Sequence, residues 1–206
     1  MSDLAQAAAV DALTMALFNQ FVQWHNIGYA APVPEMVKQA VRGRYATPNA
    51  VWLELGMGDG TTSKLLALQS RLLVGVEPDR ARYEQAVQQF PEGAAVRLFN
   101  ATPKQALPHL LPQIVGDLNV WLAGHHPARS AGTSRAEPST LLELAEIGRF
   151  RPNFRRLCVM VDAIRCFDPA NAEFPEYPSL ELLVDWARAQ DLMWHIEHDM
   201  FIARSA

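Results

Sequence analysis

The sequence predicts an α/β protein built on a doubly wound, mostly parallel sheet. Three observations carry that expectation. Five short apolar runs recur along the chain, each followed by a stretch of helical composition. A glycine cluster stands directly after the first run, where ligands of such sheets sit. Half of the 206 residues are hydrophobic and 19% are charged, which supplies one well-cored domain rather than a disordered chain.

The elements follow in order. Over 4–24, Val10, Leu13, Leu17, Phe21 and Trp24 recur at spacings of three and four, the stripe of an amphipathic helix. Asp3 precedes it where a signal peptide would carry positive charge, and Gln6, Asp11, Asn19 and Gln20 interrupt it, so a membrane span is not expected. A loop over 25–34 leads to a second helix at 35–45, stopped by Thr47-Pro48-Asn49. The first strand is expected at 50–55 and a helix at 61–69. The second strand is expected at 72–76, followed by a helix capped by Asp79 with Tyr83, Val87 and Phe90 on one face.

A third strand at 95–99 precedes Thr102-Pro103-Lys104-Gln105, which has the N-cap, the first-turn proline and the third-position glutamine of a capping box. A fourth strand at 118–122 and a polar loop lead into a helix over about 138–149. The fifth strand is expected at 157–161, a helix at 180–189, and two short β-prone pieces at 194–197 and 200–203. Right-handed crossovers between parallel strands then force helices onto both faces.

The first strand ends Glu54-Leu55-Gly56-Met57-Gly58-Asp59-Gly60. The third glycine comes one residue too early for the dinucleotide fingerprint. Lys64 does not stand where a phosphate-binding loop needs it. What remains is a turn with few Cβ atoms, through which backbone can approach a ligand that is not a pyrophosphate. The helix beginning at Thr61 would turn its free N–H groups toward an anion. Glu77 ends the second strand, at the offset where an acidic side chain commonly accepts a ribose hydroxyl pair. Loop and acid together point to a nucleoside ligand, with Glu54 holding either the loop or the ligand's amino group. The alternative is a plain capped turn at Glu77-Pro78-Asp79, with Asp59 a solvated loop residue.

These residues resemble class I S-adenosylmethionine-dependent methyltransferases: ELGMGDG looks like their first motif and VEPD like the acidic end of their second strand. A narrower likeness covers about 36–204. It runs through VKQAVRGRYA…VWLELGMGDGTT, NVWLAGHHPARSAG…EPSTLLELAEI and VMVDAIRCFDP…YPSLELLVDWA, and is similar to a bacterial methyltransferase-like group distantly related to macrocin-type sugar O-methyltransferases. The resemblance implies a Rossmann-like doubly wound sheet of seven strands with an antiparallel C-terminal hairpin. It implies an N-terminal helical appendage at 1–46 and a methyltransferase-like domain at 47–206. It further implies S-adenosylmethionine as cofactor, held by Glu54, Gly56, Met57, Gly58, Asp59, Gly60, Thr61, Glu77, Asn100, Ala101 and Thr102.

Departures from the family pattern accompany the matches. Ala101, Ala123 and Ala163 stand at three positions that resemble family carboxylates. In the macrocin-like relatives two of those acids help to bind a divalent cation, whereas here Asp162 survives beside two adjacent histidines. That is poor spacing for a metal, and none is expected. His125 or His126 could serve as a base toward a hydroxyl or amine, the alternative being a structural turn. Arg165 follows the fifth strand and could bind an anionic substrate; its alternative is an ion pair with Asp162 or Asp168. The candidate catalytic set is therefore His125, His126, Asp162 and Arg165.

The implied activity is methyl transfer to a hydroxyl or amine of a small molecule, such as a sugar or natural-product intermediate. A degenerate methyltransferase-fold protein acting as a binding or scaffold partner is the alternative. Net charge is −4, from 18 basic and 22 acidic residues with no basic run, which argues against a nucleic acid or an anionic membrane. Cys158 and Cys166 cannot form a disulfide framework, and a cytoplasmic protein with reduced thiols is expected. Trp24, His25 and Tyr29 suit a lid or, preferably, packing of a homodimer through the N-terminal helices. Tyr177 and Trp186 read as core, and His195 and His198 as facing solvent or another subunit.

Overall fold

The structure, a computed structural model, describes residues 15, 18–26, 28, 32–123, 140–168, 170 and 177–206. The chain divides into two compact units, Met1–Arg44 and Tyr45–Ala206. In the first unit, residue 15 and residues 18–26 are helical, the latter forming α1. Phe21 and Trp24 pack edge-on there, with ring centroids 6.1 Å apart. Val10, Leu13, Leu17 and Tyr29 lie outside the described residues. Helix α2 (Glu35–Tyr45) carries an ion pair between Arg42 and Glu35, two turns apart.

The second unit holds a seven-stranded sheet in the order β3-β2-β1-β4-β5-β7-β6. The strands are β1 (Val51–Leu55), β2 (Leu72–Val76), β3 (Val96–Phe99), β4 (Gly116–Leu122), β5 (Phe154–Asp162), β6 (Met193–Glu197) and β7 (Met200–Arg204). The first five pair in parallel, while β7 runs antiparallel between β5 and β6. Its helices are α3 (Thr61–Ala67), α4 (Arg80–Val87), α5 (Pro103–Leu110), α6 (Thr140–Arg149) and α7 (Leu180–Ala189). Chain order reverses between β1 and β4, so the switch point lies at their carboxyl ends.

Every residue of β1 is buried, which is why it reads as an unbroken apolar run rather than an alternation. Leu53 and Leu55, Val120 and Leu122, and Val159 and Val161 face one way, into a core completed by Leu107, Leu111, Ile147 and Leu183. The opposite face of β1 presents Trp52 and Glu54. There α3 covers it, because Ser63 of that helix donates to Glu54 at 2.5 Å. Asn119, fully buried in β4, exchanges two 2.9 Å hydrogen bonds with the backbone of Thr47 and sets the entry to β1.

Two expectations need correction. Helix α4 buries Ala86, whereas Val87 is exposed. A Cβ on Gly60 would lie 2.9 Å from the Cα of Ala86, so the helix approaches through its smallest side chain and turns Val87 outward. His195 does not simply face solvent: its ring lies 4.5 Å from that of Tyr45, whose hydroxyl donates to Glu197 at 2.6 Å.

Candidate functional site

The first three strand ends are tied into one unit. After β1 the chain turns through Gly56 and Gly58, with φ of 80° and 58°, values that L side chains rarely adopt. The N–H of Gly56 donates to the carbonyl of Val76, anchoring the turn to β2. The N–H of Gly58 donates to Glu77 Oε2 at 2.8 Å, and that of Asp79 to Glu77 Oε1 at 2.9 Å. Glu77 is therefore a buried carboxylate that accepts one backbone N–H on each oxygen, and each oxygen retains a second lone pair. The space where Gly58 would carry a Cβ is open.

Met57 is buried beneath the turn, with its sulfur where a side chain on Gly75 would stand; this accounts for a glycine inside β2. Asp59 is exposed and accepts the N–H of Thr61, so that N–H already has a partner. Asn100, after β3, donates to the carbonyls of Glu77 and Pro78 at 2.9 and 3.2 Å. Thr102 caps α5 in a full capping box with Gln105. Ala101 stands between them against the core. Sequence reasoning placed these residues at the strand ends but missed Ser63. Its only signal was a small polar residue in the first turn after the glycines.

The remaining candidates lie farther along the same edge. Leu55, Leu122 and Val161 are in register across β1, β4 and β5, so Gly56, Ala123 and Asp162 form one row. Two strand spacings put Asp162 about 10 Å from Gly56. Asp162 Oδ1 accepts the N–H of Ala163 at 2.8 Å. Ala163 is buried and left-handed, with φ 57° and ψ 47°, an uncommon conformation for a residue other than glycine. Arg165 pairs with Asp199 in the turn between β6 and β7, a partner that its alternative reading did not name. Asp199 is the second residue that sequence reasoning missed. His125 and His126 lie outside the described residues. Among the described residues, no three His, Cys, Asp or Glu side chains come together in a way that could hold a metal ion.

No protein-family profile matches the chain, and no curated protein does. Solved structures do. One is a protein of Streptococcus mutans, described as a methyltransferase and solved with S-adenosylhomocysteine. It shares 12% identity at a TM-score of 0.51, over 85% of this chain and 98% of that one. The N-methyltransferase NodS of Bradyrhizobium japonicum shares 12% identity at 0.54, over 82% and 94%. The 23S rRNA methyltransferase ErmE shares 13% at 0.52, over 84% and 67%. The seven-stranded sheet, with its parallel body and antiparallel closing hairpin, is thus the fold of the class I S-adenosylmethionine-dependent methyltransferases.

Proposed function

We propose that this chain binds S-adenosylmethionine at the β1–β2 edge and transfers its methyl group to a hydroxyl or amine of a small molecule. A sugar or natural-product intermediate is the acceptor class that the sequence resemblance suggests. The observation that carries this reading is the hydrogen bond from the Gly58 N–H to Glu77 Oε2. It holds a carboxylate with spare lone pairs beside a turn whose Cβ space is open, which suits a ribose diol lying against backbone. When bound, the cofactor supplies an electrophilic methyl on a sulfonium. The chain's task is then to align the acceptor and take a proton, and His125, His126, Asp162 and Arg165 are the residues proposed for it. Glu54, Gly56, Met57, Asp59, Gly60, Thr61, Asn100, Ala101 and Thr102 complete the proposed cofactor edge.

A cytoplasmic homodimer formed through the N-terminal helices belongs to the same proposal. Among the described residues no helix is long and apolar enough to cross a membrane. The net charge of −4 favours a small acceptor over RNA, although one similar fold methylates rRNA.

The second reading, a binding protein without chemistry, is favoured by Ala101, Ala123 and Ala163 at positions that are acidic in the resembled family. Calorimetric titration with S-adenosylhomocysteine tests the cofactor site. Saturable binding supports it, and no binding at about 1 mM ligand, the affinity equivalent of roughly 4 kcal/mol, removes it. Methyl release from labelled S-adenosylmethionine in the presence of candidate sugars and amines then separates enzyme from binding protein.

A further inference from the structure

A cavity of about 370 Å³ lies on the α5 face of the sheet, beside the edge strand β3. That volume is within the roughly 300–1,000 Å³ of small-molecule sites. Val74, Phe99, Ala101 and Leu110 form apolar walls, and Arg97 and His109 stand among the lining residues. Each of the two lining amides has one atom engaged elsewhere. Gln105 Oε1 accepts from the backbone and hydroxyl of Thr102, and Gln113 Nε2 donates to the carbonyl of His109. No Asp or Glu lines the cavity, and among the described residues Arg97 has no ion-pair partner. An apolar groove open to solvent, with an exposed and uncommitted guanidinium among its lining, matches a flat apolar body bearing one carboxylate, since Arg presents a planar fork to that group.

We infer that this cavity is a binding site for an aromatic carboxylate, distinct from the glycine-turn edge. Phe99 supplies a ring face for the aromatic body and Arg97 takes the carboxylate. The site goes beyond the proposed methyl transfer and does not depend on it. The one residue common to both is Ala101.

Naphthalene-2-carboxylate, titrated calorimetrically into the intact chain, is the test. The expected result is saturable binding with Kd at or below about 1 mM. Arg97→Gln should weaken it about tenfold, the loss of one charge-assisted contact, while the uncharged naphthalene-2-methanol binds wild type and variant alike. Leu110→Trp, which fills the cavity, should abolish binding of both probes. Circular dichroism establishes that each variant is folded. Absence of saturation, equal affinity in Arg97→Gln, or displacement of the probe by S-adenosylhomocysteine would overturn the inference. A chain that binds the naphthoate but not S-adenosylhomocysteine keeps this site and loses the proposed function.

Discussion

The carboxylate of Asp199 accepts both the backbone N–H of Arg165, at 3.0 Å, and its guanidinium, so one side chain in the β6–β7 turn grips the exit of β5. The carbonyl of the same residue accepts the N–H of Ile164. These bonds fix the two residues that follow Ala163, whose left-handed conformation costs a residue with a Cβ roughly 1–2 kcal/mol. Asp199 is 5% exposed, whereas the Arg165 side chain is 28% exposed. Asp199→Ala should therefore destabilise the fold by about 1–3 kcal/mol, as it removes the acceptor of the Arg165 N–H. Urea unfolding monitored by fluorescence reads the change. An effect below about 0.5 kcal/mol would show the pair to behave as an ordinary surface bridge.

Glu77→Ala should weaken S-adenosylhomocysteine binding by about 1–3 kcal/mol, through loss of a buried acceptor and of the restraint on Gly58. Calorimetry measures it. Unaltered affinity would place the nucleoside elsewhere.

Two glycines of the turn should differ on substitution. Gly60 has φ 87°, and an added Cβ would meet Ala86 Cα at 2.9 Å; Gly58 has φ 58° and open space. Gly60→Ala should cost about 3 kcal/mol, strain plus overpacking, and Gly58→Ala about 1 kcal/mol, strain alone. Denaturant midpoints of the two variants, compared at equal slope, test the ordering.

Burial pushes the Cys158 thiol up to about 12. Ellman's reagent at pH 8 should leave it unmodified in the native chain and react with it after unfolding, because the thiolate is the nucleophile. The raised value also sets a sign. Stability contributed by the neutral thiol is fully present below its ordinary pKa of 9.0 and is lost progressively as pH rises toward about 12.

His195 titrates in the opposite sense. Desolvation lowers its pKa below the ordinary 6.5, and Arg204 adds to that while Glu197 opposes it. Between the folded and unfolded values the unfolded chain binds the extra proton, so stability falls as pH drops through about 6.5. Replacing His195 with Phe should flatten that part of the stability–pH curve. Proton NMR of the imidazole gives the pKa directly.

Period and punctuation in the sequence determined most of the fold. Strands β1 and β2 were legible because a buried parallel strand must be an apolar run of about five residues. The capping box at Thr102 was legible because its chemistry is local, within four consecutive residues. Helix α7 spans Leu180–Ala189, the bounds expected of it. The glycine turn and Glu77 could be named as a pair since their separation along the chain is set by one β-α-β unit.

What only tertiary structure decided concerns contacts between residues distant in sequence. That Glu77 grips Gly58 and that Arg165 takes Asp199, 34 positions away, depends on register between strands, and that Ser63 holds Glu54 depends on how α3 packs on β1. Val87 faces outward because Gly60 lets Ala86 in, a packing choice that helical periodicity cannot express. The cavity beside Phe99 exists because β3 is an edge strand, and strand order is a property of the assembled sheet. Local chemistry is written in neighbouring residues; long-range contacts arise only when the sheet brings separate strand ends to one edge.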